Sequence, residues 1–342
     1  MRIPLRSPLW ALLCLGLAGP ALGQDAHYWT SQYGTRATLL GGAVIGSVLD
    51  LSGTYYNPGG MSLIEKPQTL IAANMIQYPR LRLVGSGTQA VPLNAHNPGP
   101  APTLVAGTIR LRGLGPDHWF GYSYLARQVV KLGASISGTG VSDIITGAPG
   151  AEDYATQFRL DEKIAESWLG LTWSSRLAKT VGIGISQYLA VRSHWANVQE
   201  RIEVLTGAGV TASAVGARQY LYNHFRVLWK VGLALDLKEV TLGLTLTTPS
   251  LAISGRGMTG IDSAVVDLDV DNDGKDEDYL AADYQDHLPV LYRSPFSLAM
   301  GVTFKIRKVR IYVSGEWFDK VRPYTVVDAE DFAAQSTGEI LS

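Results

Sequence analysis

The sequence predicts an all-β protein that folds as a transmembrane antiparallel β-barrel. Three observations predict this fold: an export signal at the N-terminus, a low charged fraction without a long apolar helix, and strands in which apolar residues alternate strictly with small or polar ones. Only helices and closed barrels satisfy every backbone hydrogen bond in lipid. A membrane protein without apolar helices is therefore expected to be a barrel.

Residues 1–23 are predicted to form a cleaved signal peptide. Arg2 and Arg6 supply the basic start, residues 9–17 are apolar, and residues 21–23 (Ala-Leu-Gly) resemble a small-residue cleavage site. The apolar run is too short to cross a bilayer as a helix, which needs ~20 residues. We expect an exported protein that begins at Gln24 and resides in the outer membrane of a Gram-negative cell.

The composition excludes several classes of protein. The one cysteine, Cys14, lies in the predicted signal peptide, so the mature chain has no disulfide, thiol nucleophile or cysteine-based metal site. Hydrophobic residues make up 46% of the 342 residues and charged residues 17%, with a net charge of -1. Soluble proteins average ~25% charged residues. No basic footprint for nucleic acid is present, so we expect no nucleic-acid partner.

Alternation of apolar residues is cleanest in residues 227–237. One face carries Val227, Trp229, Val231, Leu233, Leu235 and Leu237. A period of two predicts a β-strand. The same period recurs in residues 130–136, 169–173, 181–185, 240–246, 296–306 and 309–313. The opposite faces hold mainly Gly, Thr, Ser and Ala, which favours a barrel lumen over a solvated sheet. A soluble β-sandwich, whose core strands also alternate, is the alternative.

The connections between strands alternate in length. Residues 178–179, 238–239 and 307–308 lie in tight reversals, whereas the intervening connections are long. Outer-membrane barrels have this pattern, with tight turns at one rim and long loops at the other. Several aromatic residues are candidates for the girdles at the two membrane interfaces, with ordinary packing as the alternative for each: Trp168, Trp173, Trp195, Trp229 and Trp317.

The N-terminal part of the mature chain has a different texture. Residues 38–46 are small and apolar, Asp50 follows, and residues 57–60 read Asn-Pro-Gly-Gly. This order resembles the N-terminal hatch of the FadL family of outer-membrane long-chain fatty-acid and hydrocarbon transporters, in which Asn-Pro-Ala follows such a stretch. Gly59 replaces the alanine of that motif. The later strand-turn-strand of residues 232–243, with Thr-Pro and Ser-Pro steps near it, is also similar.

The resemblance implies a barrel of about fourteen strands, plugged by a hatch over residues 24–66, with strands and loops over residues 67–327. Substrates would enter from outside and leave sideways into the membrane. Asn57, Pro58, Gly59 and Gly60 would then rearrange when ligand binds, because proline fixes φ and Asn and Gly accept unusual backbone angles.

The strand count falls short of that family. About nine or ten strands can be placed before Val327, and bacterial single-chain barrels close with even numbers. Residues 328–342 read as a polar loop. We therefore expect the chain to be truncated at its C-terminus, unless strands lie unnoticed in residues 86–102 or 261–292.

Two further groups are candidate ligand sites. Arg110 and Arg112 alternate with apolar residues, so they are expected to face the lumen and could attract a fatty-acid carboxylate; generic lumen charge is the alternative. Asp269, Asp271 and Asp273 match the first ligands of a calcium loop, but Leu280 stands where the closing Glu is needed. A structural calcium ion and a solvated acidic loop both remain open, and no cofactor is expected to be required.

The expected function is uptake of long-chain fatty acids or other hydrophobic small molecules. The sequence contains no Gly-x-Ser-x-Gly, no His-Glu-x-x-His and no phosphate-binding Gly-rich loop, so we expect no enzyme activity. A general porin or structural barrel is the main alternative, and a secreted β-protein or membrane-bound hydrolase is a third. The expected partners are the hydrophobic substrate, outer-membrane lipid and lipopolysaccharide. We expect the protein to be a monomer.

Overall fold

The computed structural model describes residues 32–47, 50–64, 69–74, 80–82, 92–94, 101–109, 111, 113, 115–145, 150–205, 209, 211–268, 277–338 and 340–341. The predicted signal peptide, Arg110, Arg112 and the acidic residues Asp269, Asp271 and Asp273 lie outside this part of the chain. The described residues are nearly all antiparallel β-structure, as the sequence predicts.

Fifteen strands follow one another along the described chain. They are β1 Thr69–Asn74, β2 Arg80–Arg82, β3 Pro92–Asn94, β4 Ala101–Ile109, β5 His118–Ser142, β6 Glu152–Ala178, β7 Val181–Leu205, β8 Thr211–Asp236, β9 Val240–Thr247, β10 Leu251–Leu268, β11 Glu277–Pro289, β12 Ser297–Ile306, β13 Val309–Phe318, β14 Phe332–Ala333 and β15 Ile340–Leu341.

Eleven of these strands form one large curled sheet. Its path runs β1-β4-β5-β6-β7-β8-β9-β12-β13, and every pairing is antiparallel. Strand β8 has two partners on one side: its N-terminal half pairs with β10 and its C-terminal half with β9. Strand β11 pairs with β10 in turn. The pairs β2–β3 and β14–β15 are separate.

The two faces of the sheet differ in an unusual way. We call the face that covers residues 32–64 the inner face and the opposite one the outer face. On β8, Val231 of the outer face is 46% exposed, whereas its inner-face neighbour Lys230 is 4% exposed. The same inversion recurs on other strands, whose exposed outer-face residues include Leu169, Leu171, Leu244, Met300, Phe304, Ile311 and Val313. An exposed apolar face of this extent marks a membrane or interaction surface.

The main core lies between the inner face and the N-terminal segment, by which we mean residues 32–64. Tyr33, Ile45, Leu51 and Met61 of this segment are buried and belong to one cluster. The sheet contributes Leu104, Leu125, Trp168, Tyr188 and Leu228. Trp168 is therefore an inner-face core residue, which agrees with ordinary packing and not with a place in an interfacial girdle. A second cluster, which includes Ile145, Ile202 and Val265, lies at the far ends of the long strands.

Short turns of helix carry the N-terminal segment across the sheet. Helix α1 spans Thr35–Leu39, α2 spans Gly53–Tyr56, and a 3-10 helix spans Pro58–Leu63. Their glycines and proline disfavour long helices, so the segment follows the sheet in brief turns. None of the helices in the described ranges is long and apolar enough to cross a membrane.

The strands are longer than the alternation predicts. Strands β5 to β8 have 25 to 27 residues each, and β10 and β11 occupy the interval 261–292 in which strands were suspected. Their far halves are hard to recognise because polar residues occupy both faces. On β6, for example, Gln157, Arg159 and Lys163 lie on one face, and Thr156 and Glu162 lie on the other.

Residues 328–338 and 340–341, which were predicted to be a polar loop, lie against the edge of β11. They contain β14 and β15, and they add to the edge of β11. Ser336 accepts a hydrogen bond from the Leu280 amide at 2.8 Å, and Gln335 accepts one from the Ala282 amide at 2.7 Å. The side chains and backbone of this tail therefore cover an edge whose amides would otherwise lack partners.

Candidate functional site

A row of glycines forms the surface on which the N-terminal segment lies. Gly184 on β7 pairs with Gly232 on β8, and Gly243 on β9 pairs with Gly301 on β12. A Cβ atom added to Gly232 would collide with Asn57, and one added to Gly243 would collide with the carbonyl of Ile45. Glycine is required here because the backbone of the segment touches the backbone of the strands.

Asn57 ties the segment to itself and to the sheet. Its side-chain amide donates to the carbonyl oxygens of Ile45, at 3.1 Å, and Leu233, at 3.0 Å. Its side-chain oxygen accepts from the Gly59 amide at 3.1 Å. Pro58 begins the 3-10 helix, where its missing N–H costs nothing. The four residues singled out in the sequence, 57–60, are thus all buried at the contact between segment and sheet.

Other inner-face side chains donate to backbone carbonyls of the segment. The Thr54 carbonyl accepts from the hydroxyls of Ser186, at 2.7 Å, and Tyr188, at 2.6 Å. Thr245 donates to the Tyr56 carbonyl at 2.8 Å, and Arg176 donates to the Ser62 carbonyl at 2.8 Å. Strands β6, β7, β8 and β9 all hold the segment, so its short helices need little intrinsic stability.

A cavity of about 60 Å³ adjoins the segment, and we call it the cationic cavity. Charged residues from four strands line it: Arg127, Glu166, Arg226, Lys230 and Glu316. Its aromatic and apolar lining consists of Tyr55, Trp168, Leu228, Tyr292, Pro295 and Phe318. Polar heads and apolar walls therefore meet in one place, which is the usual composition of a small-molecule site.

Glu166 lies at the centre of the buried charges. Its carboxylate contacts the Arg192 guanidinium at 2.9 Å and the Arg226 guanidinium at 2.5 Å, and it accepts from the Trp168 indole N–H at 2.7 Å. Arg192 and Arg226 are 2% and 1% exposed. Two guanidinium partners offset the cost of removing this carboxylate from water.

Aromatic rings cover the cations. The Tyr292 ring centroid lies 4.3 Å from the Arg192 guanidinium and 4.7 Å from that of Arg226. The Tyr55 ring lies 4.3 Å from the Lys230 ammonium. Both tyrosines present ring faces to the cations.

The charges around the cavity do not balance among the described residues. Arg127, Arg192, Arg226 and Lys230 stand against the carboxylates Glu166 and Glu316. One guanidinium nitrogen of Arg226, NH1, is buried and has no hydrogen-bond partner in the described chain. A buried donor of this kind favours a ligand that brings an acceptor or a negative charge.

A second polar chain continues from Arg192 along the inner face. Arg192 Nε donates to the Tyr222 hydroxyl at 3.1 Å, which lies 3.3 Å from His194 Nδ1. His194 Nε2 lies 2.8 Å from a Glu162 carboxylate oxygen. The histidines look scattered in sequence, but antiparallel pairing brings His194 next to groups from two other strands. The connected residues Arg192, Tyr222, His194 and Glu162 include no serine, threonine or cysteine, so they resemble a polar lining more than a catalytic triad.

The wall of the sheet is interrupted beside the cavity. Regular pairing of β9 with β12 ends at Thr247 and Ser297, and pairing of β10 with β11 resumes at Arg256 and Pro289. Between these levels, the Ser250 hydroxyl accepts from the Ser294 amide at 2.9 Å. Leu251 and Ile253, on the outer side of this interruption, are 60% and 59% exposed.

Sequence reasoning missed the cationic cavity. Arg110 and Arg112, which were predicted to attract a carboxylate, and Asp269, Asp271 and Asp273, which were predicted calcium ligands, lie outside the described residues and stay predictions. The available signal was Arg226 and Lys230, two basic residues at inward positions of an alternating strand. Glu166, the partner of Arg226, lies 60 residues away along the chain, and only the register of β6, β7 and β8 brings the two together.

No family model, no curated protein and no solved structure matches this chain.

Proposed function

We propose that this chain is an outer-membrane protein that takes up hydrophobic molecules bearing an anionic headgroup, and that the cationic cavity binds the headgroup. This proposal rests on the cavity itself, which is lined by the cations Arg226, Lys230 and Arg127 and by Tyr55 and other apolar or aromatic side chains. The FadL-like order of motifs around residues 38–63 supports the same class of function.

The membrane location is supported by the inverted faces of the sheet. Outer-face residues such as Leu171, 65% exposed, and Val313, 57% exposed, would meet water in a soluble protein. Contact with lipid removes that apolar surface from water and gains about 25 cal/mol for each Å². A soluble β-sandwich would bury this face and expose the charged one.

The position of the N-terminal segment favours a plugged barrel over an open pore. It covers the inner face at the glycine row and is held by side chains of several strands, including Ser186, Tyr188 and Thr245. A general porin keeps a polar, water-filled lumen. Here the same region is filled with buried residues such as Ile45 and Met61.

The size of the cavity limits what it can hold. At about 60 Å³, the cavity is far smaller than the roughly 300–1,000 Å³ of pockets that enclose a drug-sized ligand. A carboxylate or a similar headgroup fits that volume, but a long apolar tail must extend beyond it. Regular strand pairing is absent between residues 248–255 and 290–296, beside the cavity, and we propose this stretch of the wall as the sideways path of the tail into lipid.

The test is ligand binding by the full chain in phospholipid nanodiscs, with oleate and its uncharged analogue oleyl alcohol as probes. Lys230→Met keeps the length of the side chain and removes a charge whose contact is the Tyr55 ring, so the fold is expected to tolerate it. We expect oleate to bind Lys230→Met about tenfold or more weakly than the wild type, and Arg226→Gln similarly. Oleyl alcohol should bind the wild type and both variants with the same affinity.

The matched control is Arg201→Gln, which removes an exposed cation that pairs with Glu203 far from the cavity. Equal oleate affinity in the wild type, Lys230→Met and Arg226→Gln would contradict the headgroup site. Passage of small sugars through vesicles containing the wild type would favour a general porin instead.

A further inference from the structure

The outer face carries a pair of lysines that the proposed uptake does not use. Lys131 on β5 and Lys163 on β6 are directly opposite one another in the ladder, and both are exposed. Trp195 on β7 is the next residue across the ladder, and the Lys163 ammonium lies 4.9 Å from its ring centroid. Three neighbouring strands thus bring two cations and one indole to a single place.

The lysine pair lies at one edge of the apolar outer face. Below Lys163 on β6, the outer-face positions are occupied by Ala165, Ser167, Leu169, Leu171 and Trp173, of which only Ser167 is polar. Ten residues separate Lys163 from Trp173. With a strand rise of about 3.3 Å and a tilt of about 40°, that distance spans ~25 Å along the membrane normal, the height of the apolar band of an outer-membrane barrel.

The charges at this edge are not balanced by neighbouring groups. Like charges directly opposite on paired strands are destabilising. The nearest outer-face carboxylate, Asp161, pairs with Arg159 at 2.7 Å. Within the described ranges no carboxylate pairs with Lys131 or Lys163.

We propose that Lys131 and Lys163, flanked by Trp195, bind the phosphate group of a membrane lipid in the leaflet at this edge. The lipid tails then lie along Leu169 and Leu171, the indole lies at headgroup level, and the ammonium groups meet the phosphate. The inference rests on the membrane location in the proposed function, but it is independent of the cationic cavity, because Lys163 and Lys230 lie on opposite faces of the sheet.

The experiment compares two lipids on the purified full chain in neutral detergent micelles. The first probe is bisphosphorylated lipid A, and the second is the same lipid with its phosphates removed, so that the tails are identical. We expect the wild type to bind the phosphorylated lipid at least about tenfold more tightly. In Lys131→Gln/Lys163→Gln, the two lipids should bind equally and as weakly as the phosphate-free lipid binds the wild type.

The matched control is Arg307→Gln/Lys308→Gln, which removes two exposed charges at the turn between β12 and β13. It should bind like the wild type. The proposal is overturned if the lysine double variant keeps the preference for phosphate, if this control loses it equally, or if inorganic phosphate competes at the same concentration as the phosphorylated lipid. Inorganic phosphate of equal affinity would mean that the lipid itself is not recognised.

Vesicle flotation separates this inference from the proposed function. A wild type that does not float with vesicles overturns both, because neither the uptake nor the lipid site survives outside a membrane. A wild type that floats and binds oleate, but shows no preference between the two lipids, overturns the lysine site alone. Lys230→Met should retain the lipid preference.

Discussion

The side-chain amide of Asn57 donates a hydrogen bond to the carbonyl oxygen of Leu233 across 3.0 Å, which joins the N-terminal segment directly to strand β8. The same amide donates to Ile45 within the segment. Asn57 is fully buried, so neither carbonyl can turn to water if the amide is lost. We therefore expect the position of the segment to depend on Asn57.

Replacement of Asn57 by alanine should therefore destabilise the protein measurably. The change leaves two buried carbonyls and the Gly59 amide without their partner, at an expected cost of about 2–3 kcal/mol in the free energy of unfolding. Urea unfolding checks this value. Asn223→Ala, at an exposed position on the outer face of β8, should change it by less than about 0.5 kcal/mol. Equal losses in the two variants would contradict the role of Asn57.

Gly232→Ala should displace the segment without removing any hydrogen-bonding side chain. Its new methyl group would overlap Asn57 and Pro58, and the overlap is with atoms that the sheet holds in place. Overpacking of this kind costs about 1–3 kcal/mol. We expect faster proteolysis within residues 32–64 of the folded protein.

Gly315→Ala on β13 is the control for that variant, because its Cβ would meet nothing within 4 Å. Cleavage of the N-terminal segment at the same rate in both glycine variants and in the wild type would mean that the glycine row does not hold the segment in place.

The contacts of this segment also mark how far sequence reasoning reaches. The motif order around Asn57 and Pro58 indicated that these residues act together, and the strict alternation in residues 227–237 identified β8 correctly. The partner of Asn57 could not be predicted, because Leu233 lies 176 residues away and contact requires the register of β8. Close contact with glycine leaves no periodic signal, so the role of Gly232 and Gly243 appears only in three dimensions.

Glu166→Gln should be among the most destabilising single substitutions. It leaves Arg192 and Arg226 buried without their shared carboxylate, and such unpaired buried charges cost about 3–5 kcal/mol. The free energy of unfolding in urea measures the loss. Glu203→Gln removes a carboxylate of the same chemistry whose partner, Arg201, is exposed, so it should cost about 0–1 kcal/mol. A loss of that small size for Glu166→Gln would mean that the buried ion pairs do not form.

The cavity charges illustrate a second limit of sequence reasoning. Polar residues at inner positions, such as Lys230, were visible as interruptions of the apolar pattern. Burial makes them stable only with partners, which lie far away along the chain: Lys230 contacts the Tyr55 ring of the N-terminal segment, and Arg226 pairs with Glu166 on β6. Single-strand periodicity carries no information about neighbouring strands, so the ion pairs of Glu166 had no sequence signature.

Leu171→Lys should impair insertion of the folded chain into bilayers. Leu171 lies in the middle of the apolar outer face of β6, where a lysine is expected to cost about 2–4 kcal/mol in lipid. Refolding into vesicles measures the folded yield and stability. Ala155→Lys, on the same face of the same strand but in its polar half, should be neutral. If neither lysine substitution lowers the folded yield or the stability, the outer face does not contact lipid.

Lipid contact of the outer face is the central claim, and fluorescence quenching by brominated lipids tests it most directly. In a Cys14→Ser background, single cysteines at Leu171, Val231, Ala155 and Gln157 carry the fluorophore, and the protein is reconstituted into vesicles. The account predicts strong quenching at positions 171 and 231 and little at 155 and 157. No quenching at any of the four, or equal quenching at all of them, would contradict it.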